Sequence, residues 1–257
     1  MMVLTRRDFV KASAAITAAF GVSTLGGRSR IAQAATGAPP VIWLQGQACT
    51  GCSVSFLNSV YYTTAEKLLL ETIDLRFHPT VMASAGSTAQ AAAEEAYAKG
   101  GYVLVVEGGI PTGSSGRYCY VWPGTTMRAA VRKFAPRAAA IVAVGTCASF
   151  GGVSAGRPNP TRARSVRAIV GSKRLVNVPG CPAHPDWLIG TIAYILKYGT
   201  PPALDSNLRP KQYFSATVHS QCPYAEDGED DEGEDEVHSL GQRGCLRPVG
   251  CTGPETK

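Results

Sequence analysis

The 257-residue chain is poor in the features that mark several common protein classes. No apolar run reaches the ~20 residues that a membrane-spanning helix needs. No Walker loop is present, and no G-x-G-x-x-G loop stands between a strand and a helix, so nucleotide binding has no support. The basic residues are scattered, without interleaved aromatics and without helix-turn-helix or zinc-finger spacing, which argues against a nucleic-acid partner. What the chain does have is 28 glycines and 17 prolines, too many helix breakers for an extended helical bundle. It also has eight cysteines, in a chain too large to be a small disulfide scaffold. Metal or cluster ligation is therefore the leading use for them.

The net charge of +6 is unevenly distributed. Residues 1–34 carry five basic residues and one acid, leaving 20 basic against 18 acidic in the rest. Nine of those acids fall within Glu226–Glu236, a block expected to be a solvated, disordered insertion. Its functional alternative is to steer a basic electron acceptor. At the N-terminus, Arg6 and Arg7 precede a short, mildly apolar stretch that ends near Ala32-Gln33-Ala34. This pattern predicts a twin-arginine signal cleaved near Ala34 and a periplasmic mature protein with no transmembrane segment. Such signals export folded, often cofactor-loaded chains.

Between residues 35 and 200 apolar runs alternate with helix-period segments. Strands are expected at Val41–Gln45, Ile73–Phe77, Tyr102–Val106, Ala138–Val144 and Leu175–Val178. Helices are expected at Ser53–Leu70, Ser87–Ala98, Thr125–Phe134, Thr161–Val170 and Pro185–Lys197. Unbroken apolar strands alternating with helices predict an α/β, flavodoxin-like, doubly wound parallel sheet. Residues 201–257 lose this periodicity and form a small loop-rich region whose order must come from docking or from ligands. Cys49 and Cys52, Glu107, Cys147 and Cys181 each follow a strand, at the ends where open sheets bind ligands.

Two ligand sets emerge: Cys49, Cys52, Cys147 and Cys181 in the sheet domain, and His219, Cys222, Cys245 and Cys251 after it. Thiolates suit iron–sulfur clusters. Tetrahedral zinc is the competing reading, since Cys49 and Cys52 form a C-x-x-C pair. Disulfides also remain open for an exported chain.

The stretch Trp43-Leu44-Gln45-Gly46-Gln47-Ala48-Cys49-Thr50-Gly51-Cys52-Ser53 is followed by Val106-Glu107-Gly108-Gly109-Ile110-Pro111 and by Gly145-Thr146-Cys147-Ala148-Ser149-Phe150-Gly151-Gly152. Pro179-Gly180-Cys181-Pro182 and His219-x-x-Cys222-Pro223 then follow in order. Together these strongly resemble the small subunit of periplasmic nickel-iron hydrogenases, over nearly the whole chain. His78-Pro79-Thr80-Val81-Met82-Ala83 and Gly116-Arg117-Tyr118-Cys119 look closer to the nickel-iron-selenium branch. The resemblance implies a proximal [4Fe-4S] cluster on the first set, a distal [4Fe-4S] cluster on the second, and hydrogen chemistry in a large-subunit partner. It further implies electron delivery to an external acceptor such as a cytochrome. Family members carry more cysteines after the Cys251-Thr252-Gly253-Pro254 segment for a medial cluster, which this sequence does not support; a shortened form is the expectation here. A non-catalytic docking or sensing subunit, the related quinone-reductase cluster subunit and a zinc-stabilised structural protein are the rival readings.

Among the remaining residues, Cys119 is expected to be a buried small hydrophobe. Glu107 is expected either to relay protons or to support the backbone around a cluster. His184 is expected in a surface loop, or as a hydrogen-bond partner behind the first set. His78 and His238 are expected in loops.

Overall fold

The computed structural model describes residues 39–61, 63–226, 239 and 241–257. Arg6, Arg7, Ala34, His238 and residues 227–236 of the acidic run lie outside the described residues. Five strands, β1 (Pro40–Gln45), β2 (Asp74–Phe77), β3 (Val103–Glu107), β4 (Ala140–Val144) and β5 (Leu175–Val178), form one parallel sheet in the order β2-β1-β3-β4-β5. The expected doubly wound sheet is thus the observed one. Chain direction across the sheet reverses between β1 and β3, which opens a crevice beyond their C-terminal ends.

Alternate residues of each strand feed two cores. Ile42, Leu44, Leu104, Val106, Ile141 and Ala143 face helices α2 (Gly86–Lys99) and α3 (Met127–Phe134). Val41, Trp43, Val103, Val105, Val142 and Val176 face α1 (Gly51–Leu57) and α6 (Pro185–Tyr198). Burial on both faces explains why the central strands are apolar without interruption. Helices α4 (Gly145–Phe150) and α5 (Val166–Val170) add Ala148 and Val166 to the first of these cores. The facing side of α2 is alanine (Ala89, Ala93, Ala96), which lets it lie close to the sheet.

Two expected helices differ. The Ser53–Leu70 helix stops at Leu57, where Asn58 caps it and returns its side-chain N–H to the Val54 carbonyl at 2.9 Å. It resumes only at Ala65, because Thr64 supplies a new N-cap to Lys67 N. The Thr161–Val170 helix begins instead at Val166, since Ala163–Arg164 pairs as a short strand with Ile110–Pro111.

The segment after residue 200 docks on α6. Trp187 stacks on Tyr213 at 5.8 Å and meets the Phe214 ring edge-on at 5.0 Å. Asn177 of β5 donates its backbone N–H to Leu208 O and its side-chain N–H to Asn207 O, each at 2.8 Å. Among the described residues no helix is long and apolar enough to cross a membrane. Trp187→Ala is expected to remove about 3 kcal/mol of docking. Limited proteolysis should then cleave after Lys211 much faster than in the unaltered chain, while cleavage within the sheet is little changed.

Candidate metal centre

Three loops meet in the crevice. β1 runs through Gly46 and Gln47 into the Cys49–Cys52 turn, β4 runs directly into α4 with Cys147, and β5 ends at Gly180 before Cys181. The loops are tied to one another. Thr146 N donates to Gly180 O at 2.8 Å, and Gly180 N donates to Thr146 Oγ1 at 3.2 Å. Ser55 Oγ of α1 donates to Ala183 O, just past Cys181, at 2.7 Å.

Glycine makes the room for the sulfurs. Gly145 has φ +79°, and a Cβ there would lie 2.4 Å from Cys52 Sγ. A Cβ on Gly152, φ +57°, would lie 2.5 Å from Cys147 Sγ, and one on Gly51 would lie 3.0 Å from Cys49 Sγ. The backbone has been stripped of side chains where the thiols point.

Electrostatics ties the four thiols together. Burial pushes the Cys52 thiol up to about 12; the Ala183 amide N–H opposes this, while Glu107, Cys49 and Cys147 add to it by charge repulsion. Burial also raises Cys147, opposed by the Val153 N–H, with Cys181, Cys49 and Glu107 adding repulsion. Four thiols and a carboxylate close enough to repel one another are costly to ionise without a compensating cation. The donor set and the glycine cradle therefore fit a thiolate-held metal group. Among the described residues no three Cys, His, Asp or Glu side chains close on one point as the ligands of a single ion do. All eight cysteines are free thiols, and none is joined in a disulfide.

Glu107, at the end of β3, is 2% exposed and accepts five hydrogen bonds. Oε1 receives Cys52 N at 3.1 Å and Ser53 N at 3.4 Å. Oε2 receives Trp43 Nε1 at 3.1 Å, Gln45 Nε2 at 3.0 Å and Ser53 Oγ at 2.5 Å. Glu107 therefore bonds the cysteine turn directly. His78 stands behind it, fully buried, with Nε2 3.3 Å from Ser53 Oγ. Burial holds the imidazole down at about 4, against a smaller opposing pull from Glu107. Sequence reasoning missed Ser53 and left His78 as a loop histidine. The available signal was a serine directly after a candidate ligand and a histidine at a strand end.

The C-terminal set is joined through its backbone. His219 N donates to Gly253 O at 3.1 Å, Cys222 N to His219 O at 3.0 Å, and Cys251 N to Leu246 O, next to Cys245, at 3.1 Å. A Cβ on Gly253 would lie 3.2 Å from Cys251 Sγ. These bonds place the His219, Cys222 and Cys251 segments side by side. Elsewhere, Cys119 is half-buried against the α2–α3 core, and burial raises its thiol. His184 is the N-cap of α6: its Nδ1 accepts from Asp186 N at 3.3 Å, and its ring stacks on Trp187 at 5.3 Å.

Residues 49–195 match the family described as NADH ubiquinone oxidoreductase, 20 Kd subunit. Over 99% of its length the chain is 41% identical to the periplasmic [NiFeSe] hydrogenase small subunit of Desulfomicrobium baculatum, covering 87% of that protein. The chain belongs to the nickel-iron hydrogenase small subunits. It is also 40% identical to the Hydrogenase-2 small chain of Escherichia coli K12, over 98% of this chain and 69% of that one. The structure of a reduced, active Ni-Fe-Se hydrogenase from Desulfomicrobium baculatum superposes with a TM-score of 0.78 at 43% identity, covering 85% of each chain. A hydrogenase small subunit is one half of a heterodimeric oxidoreductase, and the family implies iron–sulfur clusters in this half and a large-subunit partner. The 20 Kd subunit family matches the sheet domain, whereas the hydrogenase relatives align with nearly the whole chain.

Gly171, at φ +79° with nothing near its would-be Cβ, separates backbone strain from contact at Gly145. Gly171→Ala is expected to cost about 1–3 kcal/mol by strain alone. Gly145→Ala should cost clearly more, because its methyl meets Cys52 Sγ, and thermal unfolding of the two variants measures the difference.

Proposed function

We propose that this chain is the electron-transferring small subunit of a periplasmic hydrogenase, with heterolytic hydrogen chemistry in the large subunit. Cys49, Cys52, Cys147 and Cys181 would hold a proximal [4Fe-4S] cluster, and His219, Cys222, Cys245 and Cys251 a distal one. When bound, such clusters take up and release electrons one at a time. The chain's own contribution is to supply thiolates from separate rigid strand ends, to exclude side chains around them, and to fix the turn on which two of them stand. The observation that carries this reading is the meeting of the three cysteine loops at one end of the sheet over a cradle of glycines. A histidine in the second set makes that set less negative than four thiolates, which favours a higher potential there, as histidine ligation does in Rieske centres.

The division into a signal (1–34), a flavodoxin-like domain (35–200) and a cluster-binding region (201–257) goes with this proposal. Export by the twin-arginine route suits a chain folded around its cofactors, and a cytochrome is a fitting external acceptor. The named relative from Desulfomicrobium baculatum is periplasmic. Large apolar side chains beside the cysteines remain open to solvent: Val54 and Leu57 follow Cys52, and Phe150 and Val153 follow Cys147. Exposed apolar surface of this kind marks a docking face, and the partner proposed for it is the large subunit.

Iron and acid-labile sulfide, measured anaerobically on the heterodimer after subtracting the partner's active-site iron, are expected at about eight of each per small chain. Cys147→Ala should lower both by about four, and so, independently, should Cys251→Ala. Zinc in place of iron, or no sulfide, would overturn the assignment. Val153→Glu is expected to abolish co-purification of the large subunit while the isolated chain keeps its thermal stability.

A further inference from the structure

His78 follows the edge strand β2, is wholly buried and has no part in the ligand sets. Its surroundings fix the direction of every hydrogen bond it makes. Nδ1 lies 3.1 Å from Thr80 N and 3.2 Å from Val81 N. Backbone amides only donate, so Nδ1 accepts and the proton of the neutral ring sits on Nε2, facing Ser53 Oγ. Ser53 Oγ also receives Gln45 Nε2 at 3.3 Å. A hydroxyl has two acceptor lone pairs and one proton. With both acceptor positions filled, the Ser53 proton is directed to Glu107 Oε2.

The far end of this chain meets an unmet need. Helix α1 starts after Thr50, which is left-handed (φ 67°) and makes no side-chain cap. Its first-turn amides at Cys52 and Ser53 would be orphans. Glu107 caps them from another strand. We infer that His78 is a positioning residue for the Cys52 turn: by occupying one acceptor of Ser53 it aims the hydroxyl at Glu107, and the carboxylate so held fixes the Cys52 and Ser53 amides. The arrangement holds and does not relay. Nδ1 is already occupied by two amides and the ring is sealed against Trp43 at 4.8 Å, so no lone pair is open to receive a proton.

This inference rests on Cys52 being a cluster ligand only for its effect on the cluster; the effect on the turn stands apart. The test uses the heterodimer with His78→Ala, His78→Gln and Ser53→Ala. Glutamine keeps an N–H donor near the place of Nε2. Phe77→Leu, which loosens the neighbouring core without touching the polar chain, gives the baseline for structural loss alone. Two quantities are read: hydrogen exchange of the Cys52 and Ser53 amides, and the midpoint potential of the proximal cluster by EPR-monitored titration. His78→Ala and Ser53→Ala are each expected to speed exchange at both amides tenfold or more beyond Phe77→Leu and to shift the potential. His78→Gln should restore both, and the double variant should add nothing to Ser53→Ala alone. Unchanged exchange in Ser53→Ala, or full additivity in the double variant, would overturn the inference even if His78→Ala fails to assemble. Faster exchange with an unshifted potential would keep the positioning of the turn and overturn its link to the cluster. Failure of the cluster assignment itself would instead appear as missing iron in the unaltered protein.

Discussion

A carboxylate taken out of water costs several kcal/mol unless donors replace its hydration. Glu107 meets that condition with five donors drawn from β1, the Cys52 turn and the Ser53 hydroxyl. Because every one of them must be in place, the carboxylate makes its neighbours mutually dependent. Trp43 and Gln45 fix it to β1, and the β1–β3 register places Gln45 opposite Glu107. The loop beyond each strand is then held backbone to backbone: Gly46 N donates to Glu107 O at 2.7 Å, and Gln47 and Gly109 exchange a pair of bonds. Cβ atoms at Gly46 or Gly108 would fall inside this contact, and one at Gly109 would run into Ser154 Oγ on its other side. The geometry of the cysteine turn is thus set by the sheet rather than by the turn itself.

The sheet was legible because its chemistry is repetitive. Runs such as Val103–Val106 and Ile141–Val144 have one interpretation when both faces are buried, and their order along the chain follows from alternation with helices. The placement of Cys49, Cys52, Cys147 and Cys181 beyond strand ends was legible for the same reason. Helix boundaries were less so. The break at Asn58 depends on a side chain returning to Val54, and the new start at Ala65 on the Thr64 hydroxyl. The late start of α5 depends on pairing between Arg164 and Ile110, residues far apart in sequence. His78 and Ser53 were illegible as a pair because they are 25 residues apart and neither belongs to a recognisable spacing. Only the folded arrangement shows that their hydrogen bonds have a single consistent direction.

The C-terminal region obeys a different constraint. It lacks an apolar periodicity of its own, so much of its order is borrowed: aromatic packing against Trp187 anchors residues 213 and 214, while within the region His219 N bonds Gly253 O. That economy makes the His219 segment sensitive to the state of the sheet and α6. Loss of docking at α6 would free the segment leading to His219, whereas loss of the Glu107 contacts would act on the Cys52 turn and on the Trp43 and Gln45 side chains of β1.

The two sets also differ in what the polypeptide leaves unfinished. Around Cys52 the loops are shaped in advance, yet the thiol is pushed up to about 12 and its neighbours repel it. The backbone leaves room for the Cys49, Cys52 and Cys147 sulfurs, while burial and repulsion disfavour the Cys52 and Cys147 thiolates. Protonation keeps these sulfurs neutral, and a cationic metal group would take the place of those protons. The same crowding that penalises the empty thiolates becomes attraction once positive charge lies among them. Glu107 sharpens both sides of that balance: it adds to the repulsion felt by Cys52 while its hydrogen bonds prevent the turn from relaxing away.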